Sequence, residues 1–317
     1  MKSKTVIGIT GAVSGVVVLA DIGIAAKIFK WAMIRPDAET LAKDEKRPGS
    51  EAFRNAINAA LPWVDTQKIE KLSISAYDGL KLQGNLLRTG SDKVVIAVHG
   101  YHSNGMREYT PYLKFYHDLG YNVLMPDDRA HGESEGKYIG FGWNDRLDVI
   151  KWIRKAIELF GSDTQIILHG ISMGAAAVLM ASGEELPRQV KAVISDCAFA
   201  SVEEEFKYQL KHMFHLPEFP VLQTFDMINR HFNGYRLKEA SALGQVSKSD
   251  IPTLFIHGGK DDFVPTYMVF ELFEACSAPK DMIIIDGASH AQSHIADPGK
   301  YENAVKEFIE RYTETDR

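Results

Sequence analysis

The fold is decided by residues 165–180, which read QIILHGISMGAAAVLM. A β-branched apolar run, a Gly-x-Ser-x-Gly turn centred on Ser172 and an alanine-rich, helix-prone run follow one another. Glycines on both sides of the serine let the backbone turn sharply without collision. A serine on such a strand-to-helix turn exposes its hydroxyl above the sheet, and the helix N-terminus directs N–H groups at developing negative charge. Ser172 is therefore predicted to be a nucleophile.

Short apolar runs alternate with helical patterns on both sides of this turn. Residues 68–76 and 80–88 alternate apolar and polar side chains around a Tyr-Asp-Gly turn, which is typical of a β-hairpin. The runs typical of buried strands are Val94–Val98, Asn122–Met125, Gln165–Leu168, Ala192–Ser195, Thr253–Ile256 and Met282–Ile285. Apolar residues at helical spacing follow from Trp143 and from Tyr301. This alternation predicts an α/β fold with a mostly parallel, doubly wound sheet.

The interval between Asp196 and Ile251 breaks this alternation. It lacks a clear strand pattern and is rich in Phe, Tyr, Met and Leu. Ser201 followed three residues later by Glu204 matches a capping box, so a helix is predicted to begin there. An insertion of this length is usually functional. Residues 199–248 are predicted to form a helical lid.

A serine nucleophile needs a base, and eleven histidines are present. In this architecture the chain order is nucleophile, acid, histidine. His290 directly follows the last predicted strand, where α/β sheets place their sites. His294 lies about one helical turn farther on and fits a surface or supporting role better. His290 is therefore predicted to be the general base.

Three acids compete for the third position of a catalytic triad. Asp261 and Asp262 follow the penultimate strand within HGGKDDFVP, residues 257–265. The acid orients the histidine and stabilises its cation, so only one of two adjacent side chains can face it. Asp261 is preferred and Asp262 stays an alternative, whereas Asp196, at the end of another strand, is a third and weaker candidate.

Stabilising a tetrahedral oxyanion takes two backbone donors. The N–H of Met173 is one, because Met173 follows the nucleophile. The second is expected in the loop after Val94–Val98, which begins His99-Gly100-Tyr101, and the N–H of Tyr101 is assigned to it. His99 and Gly100 would shape the same loop.

Other chemistries find little support. The pairs His99/His102, His212/His215 and His290/His294 have ligand-like spacing, but no second cluster of ligands accompanies them. No Walker A pattern is present, and a net charge of -6 argues against a nucleic-acid partner. We therefore expect no cofactor, no bound metal and no nucleic acid. The two cysteines provide no disulfide framework.

The N-terminus has a separate character. Lys2 and Lys4 precede an apolar stretch from Val6 to Ala20, which Asp21 interrupts before Ile22–Ala26 resumes it. Such a start is typical of a signal peptide or signal anchor, although a hydrophobic helix packed on the protein body would also explain it. We expect residues 1–34 to be this segment, 35–67 a connecting helical segment and 68–317 the main domain. An extracytoplasmic protein, anchored in a membrane or secreted, is predicted, with a bacterial cell surface as its expected place.

The chain from about Lys68 onward resembles the α/β-hydrolase superfamily, in particular its serine aminopeptidase-like and Bem46-like members. The resemblance rests on five segments in order: 99–101, 126–136, the Ser172 turn, 261–265 and His290. It implies eight strands, a Ser-His-Asp triad and no cofactor. Ala130 departs from the family's usual Arg-Gly-His-Gly loop, at a position expected to be structural. Arg129 and His131 are likewise expected to fix that loop rather than to catalyse.

The resulting expectation is a serine hydrolase that cleaves a small-molecule carboxylic ester through an acyl-enzyme intermediate. The apolar lid favours a hydrophobic, short-to-medium acyl group. A serine peptidase, thioesterase or acyltransferase with the same triad stays open. So does a surface binding protein without activity, and no obligate protein partner is evident. The sequence also leaves open signal cleavage, oligomeric state and lid motion.

Overall fold

A computed structural model describes residues 20–45 and 50–313. Its centre is one eight-stranded sheet with the order β1-β2-β4-β3-β5-β6-β7-β8. The strands are β1 Ile69–Ser75, β2 Lys81–Leu87, β3 Lys93–Val98, β4 Asn122–Pro126, β5 Gln165–Ile171, β6 Val190–Asp196, β7 Thr253–Gly258 and β8 Lys280–Ile285. Strand β2 pairs antiparallel with β1 and β4, and all later neighbours are parallel. The predicted hairpin, the six predicted strands and the α/β-hydrolase fold are confirmed, except that β8, at the edge of the sheet, is mostly half-buried rather than buried.

Helices cover both faces of this sheet, because its central strands are apolar on both sides. In β3, Val94, Ile96 and Val98 belong to one buried core, whereas Val95 and Ala97 belong to the other. The helices that follow the hairpin are α4 Gly105–Tyr109, α5 Leu113–Asp118, α6 Asp145–Phe160, α7 Met173–Ser182, α8 Val202–His212, α9 Val221–Asn233, α10 Ala242–Val246, α11 Tyr267–Ala275, α12 Ser293–Ala296 and α13 Pro298–Thr313. Short 3-10 helices occupy Thr110–Tyr112 and Leu237–Glu239.

Helices α8 and α9 lie within the predicted lid. Helix α8 begins where the capping pattern predicts, since the Ser201 side chain accepts a hydrogen bond from the N–H of Glu204. Its inner face is buried through Phe206 and Leu210, and the Phe206 ring lies 4.5 Å from the Phe225 ring of α9. This apolar contact fixes the two helices against each other above the carboxyl ends of the strands.

Three helices precede the sheet: α1 at residues 20–33, α2 at Ala38–Glu45 and α3 at Ser50–Val64. Helix α1 packs on α9, and the centre of its Phe29 ring lies 5.9 Å from the centre of the Phe225 ring. Asp21 accepts a hydrogen bond from the Thr224 hydroxyl, so the residue that interrupts the apolar stretch has a polar partner. The end of the predicted N-terminal segment is therefore packed on the hydrolase body.

Within residues 20–45 and 50–313, each helix is too short or too polar to cross a bilayer. Residues 1–19, which carry most of the predicted signal or anchor, lie outside the described residues. The anchor, the domain limits at 34 and 67 and the extracytoplasmic location stay predictions.

Candidate active site

Ser172 stands on the turn between β5 and α7 with φ +55° and ψ -117°. An L-residue in this region is strained, and such strain is typical of functional turns. The turn is anchored to the end of the neighbouring strand β6, because the N–H of Ser172 donates to the carbonyl of Asp196 over 2.8 Å. A Cβ on Gly174 would collide with the carbonyl oxygens of Val98 and His99, so only glycine fits there. The predicted glycine requirement thus has a direct steric cause.

His290 contacts both other predicted members of the triad. Its Nε2 lies 2.8 Å from Ser172 Oγ, and its Nδ1 lies 2.8 Å from Asp261 Oδ2. The ring is 21% exposed, so solvent reaches it, whereas the Asp261 side chain is fully buried. Burial lowers the pKa of His290, but the charge and hydrogen bond of Asp261 outweigh it and raise the pKa above 6.5. This arrangement can accept a proton from Ser172 and stabilise the resulting cation.

The structure places Asp261, and not Asp262, against His290. Asp261 Oδ1 accepts hydrogen bonds from the N–H groups of Phe263 and Val264 over 3.0 and 2.9 Å. Burial raises the pKa of Asp261, but the facing His290 and the donors around it lower the pKa well below 3.8. Asp262 is exposed and lines an open cavity. The loop therefore keeps Asp261 ionised in a fixed orientation.

A second histidine supports the same carboxylate, and the sequence did not single it out. His257, buried at the end of β7, has its Nε2 2.9 Å from the Val264 carbonyl and 3.2 Å from Asp261 Oδ2. Two acceptors at one ring nitrogen require that nitrogen to carry the proton. Its position directly before Gly258-Gly259 at the end of a strand was the available signal.

The weaker candidates have structural partners. Asp196 is buried, accepts a hydrogen bond from the Ser293 hydroxyl and has a pKa raised by burial to about 6. His294 lies 2.9 Å from Glu302 and stacks on the Tyr112 ring at 4.2 Å. Neither side chain replaces Asp261 or His290 in the hydrogen-bonded chain to Ser172.

The predicted oxyanion loop runs directly beside Ser172. A Cβ on Gly100 would stand 3.3 Å from the Ser172 Cβ, so the backbone that leads into Tyr101 approaches the serine closely. The Tyr101 hydroxyl donates to the carbonyl of Ala32 over 3.0 Å, which ties this loop to the end of α1. Met173 is the first residue of α7, and N–H groups of a first turn have no acceptor within the helix.

The segment around Ala130 fixes the neighbouring loops. Ala130 has φ +61°, a left-handed backbone conformation that glycine adopts with less strain than alanine. Arg129 forms a buried, bidentate ion pair with Asp148. His131 Nε2 accepts the N–H of His102, and burial, its largest influence, lowers the pKa of His131 well below 6.5. These groups hold backbone in place, in agreement with their expected structural role.

Two cavities meet at Ser172. The larger, about 740 Å³, opens beside His290 and is walled on the far side by residues of α2 and α3. The smaller, about 40 Å³, lies between helix α8 and the turn that carries Ser172 and Met173. Its lining is mostly apolar: Trp31, Ala32, Tyr101, Phe141, Phe199, Phe206, Phe263 and Val264, with Glu205 and Gln209 as polar members. Ser172 therefore lies between a large, partly polar space and a narrow, largely apolar one.

Among the described residues, Cys197, Asp261 and His290 place possible metal-ligand atoms within 4.8 Å of one another. Asp261 and His290 are bonded to each other, and burial raises the pKa of the Cys197 thiol well above 9. Only the thiolate is a good ligand, so this set fits the triad better than a metal. Both cysteines are buried and free.

The sheet order and the Ser172 turn at its centre define a hydrolase of the α/β-hydrolase fold. The model of the family described as "Serine aminopeptidase, S33" matches residues 89–248, and the chain belongs to this family.

Similar proteins support this assignment. YqkD of Bacillus subtilis is 29% identical over 282 residues, which cover 87% of this chain and 88% of YqkD. The Pyrococcus furiosus esterase Pf2001 matches with a TM-score of 0.64 and 27% identity, over 79% of this chain and 94% of the esterase. Est1E of Butyrivibrio proteoclasticus, whose structure has ferulic acid bound, has a TM-score of 0.62 over 77% of this chain and 100% of Est1E. At 21% identity, this last likeness shows the fold alone.

Proposed function

We propose that this protein is a serine esterase that transfers a short acyl group from an ester to water through an acyl-enzyme intermediate. The observation that carries the proposal is the chain of hydrogen bonds from Ser172 through His290 to Asp261, with both distances at 2.8 Å. The similarity to the Pyrococcus furiosus esterase supports an ester as the bond that is cleaved.

Ser172 attacks the ester carbonyl while His290 takes the hydroxyl proton. Asp261 stabilises the imidazolium, and the N–H groups of Tyr101 and Met173 stabilise the oxyanion. Each such donor is worth about 3 kcal/mol of barrier. His290 then gives the proton to the leaving alcohol and activates the water that releases the acyl group.

The two cavities support an assignment of the two halves of the substrate. Because His290 protonates the leaving alcohol, the alcohol has to depart on the side of His290, into the larger cavity. The acyl chain then occupies the smaller cavity under the lid. The smaller cavity, about 40 Å³, is far narrower than the larger one of about 740 Å³. This difference in size favours a short acyl group, such as butanoyl, over a long one.

The test measures hydrolysis of p-nitrophenyl esters from acetate to dodecanoate by the full chain, with Ser172→Ala as the matched control. We expect kcat/KM to be highest near butanoate and to fall steeply at longer chains. A fluorophosphonate probe should label the wild type and not the variant. A folded wild type without probe labelling would favour a binding protein without activity. Labelling without ester turnover would direct the search to thioesters, aminoacyl amides and acyl transfer.

A further inference from the structure

Glu205 lies in the small cavity that we assign to the acyl group. It belongs to α8, is 5% exposed and lines the cavity together with Ser172. Its Oε1 accepts a hydrogen bond from the Gln209 amide over 2.8 Å. Its Oε2 is buried and has no hydrogen-bond partner among the described residues. A buried polar atom without a partner is costly, so this oxygen calls for a partner from outside the protein.

The surroundings of Glu205 do not supply that partner. None of the described residues that line the cavity is Lys or Arg. The Gln209 amide is already shared with the Phe263 carbonyl over 2.8 Å. Three charged groups influence the pKa of Glu205: His290 as a cation lowers it, and the acids Asp261 and Glu204 raise it. Burial, the largest influence, raises the pKa of Glu205 to about 7, so both protonation states are populated near neutral pH.

One ligand group can pair with Oε2 in both states. A protonated carboxyl donates and needs an acceptor, whereas a carboxylate accepts and needs a donor. A hydroxyl is both, a carbonyl or ether is only an acceptor, and an ammonium is only a donor. A site built to bond a substrate hydroxyl also rejects the analogue that lacks it, because its polar group is then left unpaired.

We propose that Glu205 is a specificity-determining residue that selects acyl groups carrying a hydroxyl, so that the preferred substrates are esters of short hydroxy acids. The proposal rests on the acyl-transfer function proposed above and on the assignment of the acyl chain to the small cavity. Gln209 holds the Glu205 carboxyl in position, and the aromatic walls exclude water that would compete for Oε2.

The test compares isosteric acyl groups that differ by one hydroxyl. The pairs are p-nitrophenyl 3-hydroxybutanoate against 3-methylbutanoate, and lactate against isobutanoate. We expect the hydroxylated member of at least one pair to have a kcat/KM about tenfold higher in the wild type, at pH 6 and at pH 8. The ratio within a pair cancels any pH effect on the triad.

Three variants separate the role of Glu205 from general damage to the lid. Glu205→Leu should reverse the preference while it retains or improves turnover of the alkyl esters. Glu205→Gln keeps a donor and an acceptor and should retain most of the preference. Glu203→Gln, on the same helix but outside the cavity and paired with Lys207, should leave the ratio unchanged.

The outcomes distinguish this proposal from the proposed function. Turnover of alkyl esters without hydroxyl preference in either pair would overturn the role of Glu205 and leave the esterase intact. A preference for an ammonium-bearing acyl group that appears only above pH 7 would also overturn it, since the carboxylate alone would then recognise the substrate. If no ester is cleaved, calorimetric binding of 3-hydroxybutanamide and 3-methylbutanamide to Ser172→Ala decides the question. Equal affinity there would reject the proposal.

Discussion

His257 Nε2 lies 3.2 Å from Oδ2 of Asp261, the same oxygen that faces His290 Nδ1. Two imidazole rings therefore converge on one carboxylate oxygen, while backbone N–H groups occupy the other. His257 touches neither Ser172 nor the two cavities, so we regard it as a positioning residue for Asp261.

This relationship predicts the effect of changing His257. His257→Phe removes a donor to a charged acceptor, a loss of about 1.5–3 kcal/mol, so kcat should fall about tenfold or more at nearly constant KM. In His257→Gln, the amide N–H can replace Nε2–H and should restore most of the activity. Steady-state kinetics of both variants, with thermal unfolding as a folding control, test this. Equal losses in both variants would argue for a merely structural role.

The two adjacent acids provide the sharpest test of the triad. Asp261→Asn should lower kcat by about 10³–10⁴-fold, because the histidine loses its orienting and stabilising carboxylate. Asp262→Asn changes the neighbouring, exposed side chain and should alter kcat by less than about threefold. Both variants are measured on the best p-nitrophenyl ester. If Asp262→Asn were the more damaging change, the observed orientation of Asp261 would not be the catalytic one.

The sequence predicts the sheet and the Ser172 turn because both depend on local patterns. Buried parallel strands need continuous apolar runs, and a sharp turn beside two carbonyl oxygens needs glycine at Gly174. His290 follows from the chain order together with its position directly after the last predicted strand. The choice between Asp261 and Asp262 is different, since it depends on which side chain the loop turns inward.

Other features of the site depend on long-range contacts and escape a reading of the sequence. Glu205 follows two half-buried acids, Glu203 and Glu204, in an acidic run that is typical of a solvated helix start. Only the position of α8 in the folded chain buries this one carboxyl beside Ser172. In the same way, no local pattern indicates that the Tyr101 hydroxyl reaches the carbonyl of Ala32.

The pH dependence of activity should report the pairing of His290 with Asp261. The base acts when neutral, so kcat/KM should rise with pH through the pKa of His290, which lies above 6.5. In Asp261→Asn, the loss of the carboxylate charge leaves burial as the main influence on the pKa of His290, and burial lowers that pKa. The midpoint of the pH profile of the residual activity should therefore move to lower pH. Profiles from pH 5 to 9 measure both midpoints. A wild-type midpoint below 6.5, or no shift in the variant, contradicts this coupling.

Glu205 should also leave a signature in the pH dependence of stability. Its folded pKa of about 7 exceeds the ordinary value of 4.5, so the folded state binds the proton more tightly than the unfolded state. The free energy of unfolding therefore decreases as pH rises from 4.5 to 7 and then levels off, a loss of about 3 kcal/mol. Glu205→Gln cannot titrate at this position. Its free energy of unfolding, minus that of the wild type, should therefore be larger at pH 8 than at pH 5, by up to about 3 kcal/mol.

Urea unfolding at these two pH values measures the difference, in which the contributions of the other buried acids cancel. Asp148 and Asp196, whose pKa values burial raises to about 6, are present in both proteins and affect both curves alike. Glu203→Gln, at a partly exposed carboxyl on the same helix, is the matched control and should show little pH-dependent difference. A Glu205→Gln difference that is the same at pH 5 and pH 8 would mean that the carboxyl is solvated in solution. The small cavity would then contain water next to Glu205, and the basis for hydroxyl selection would be lost.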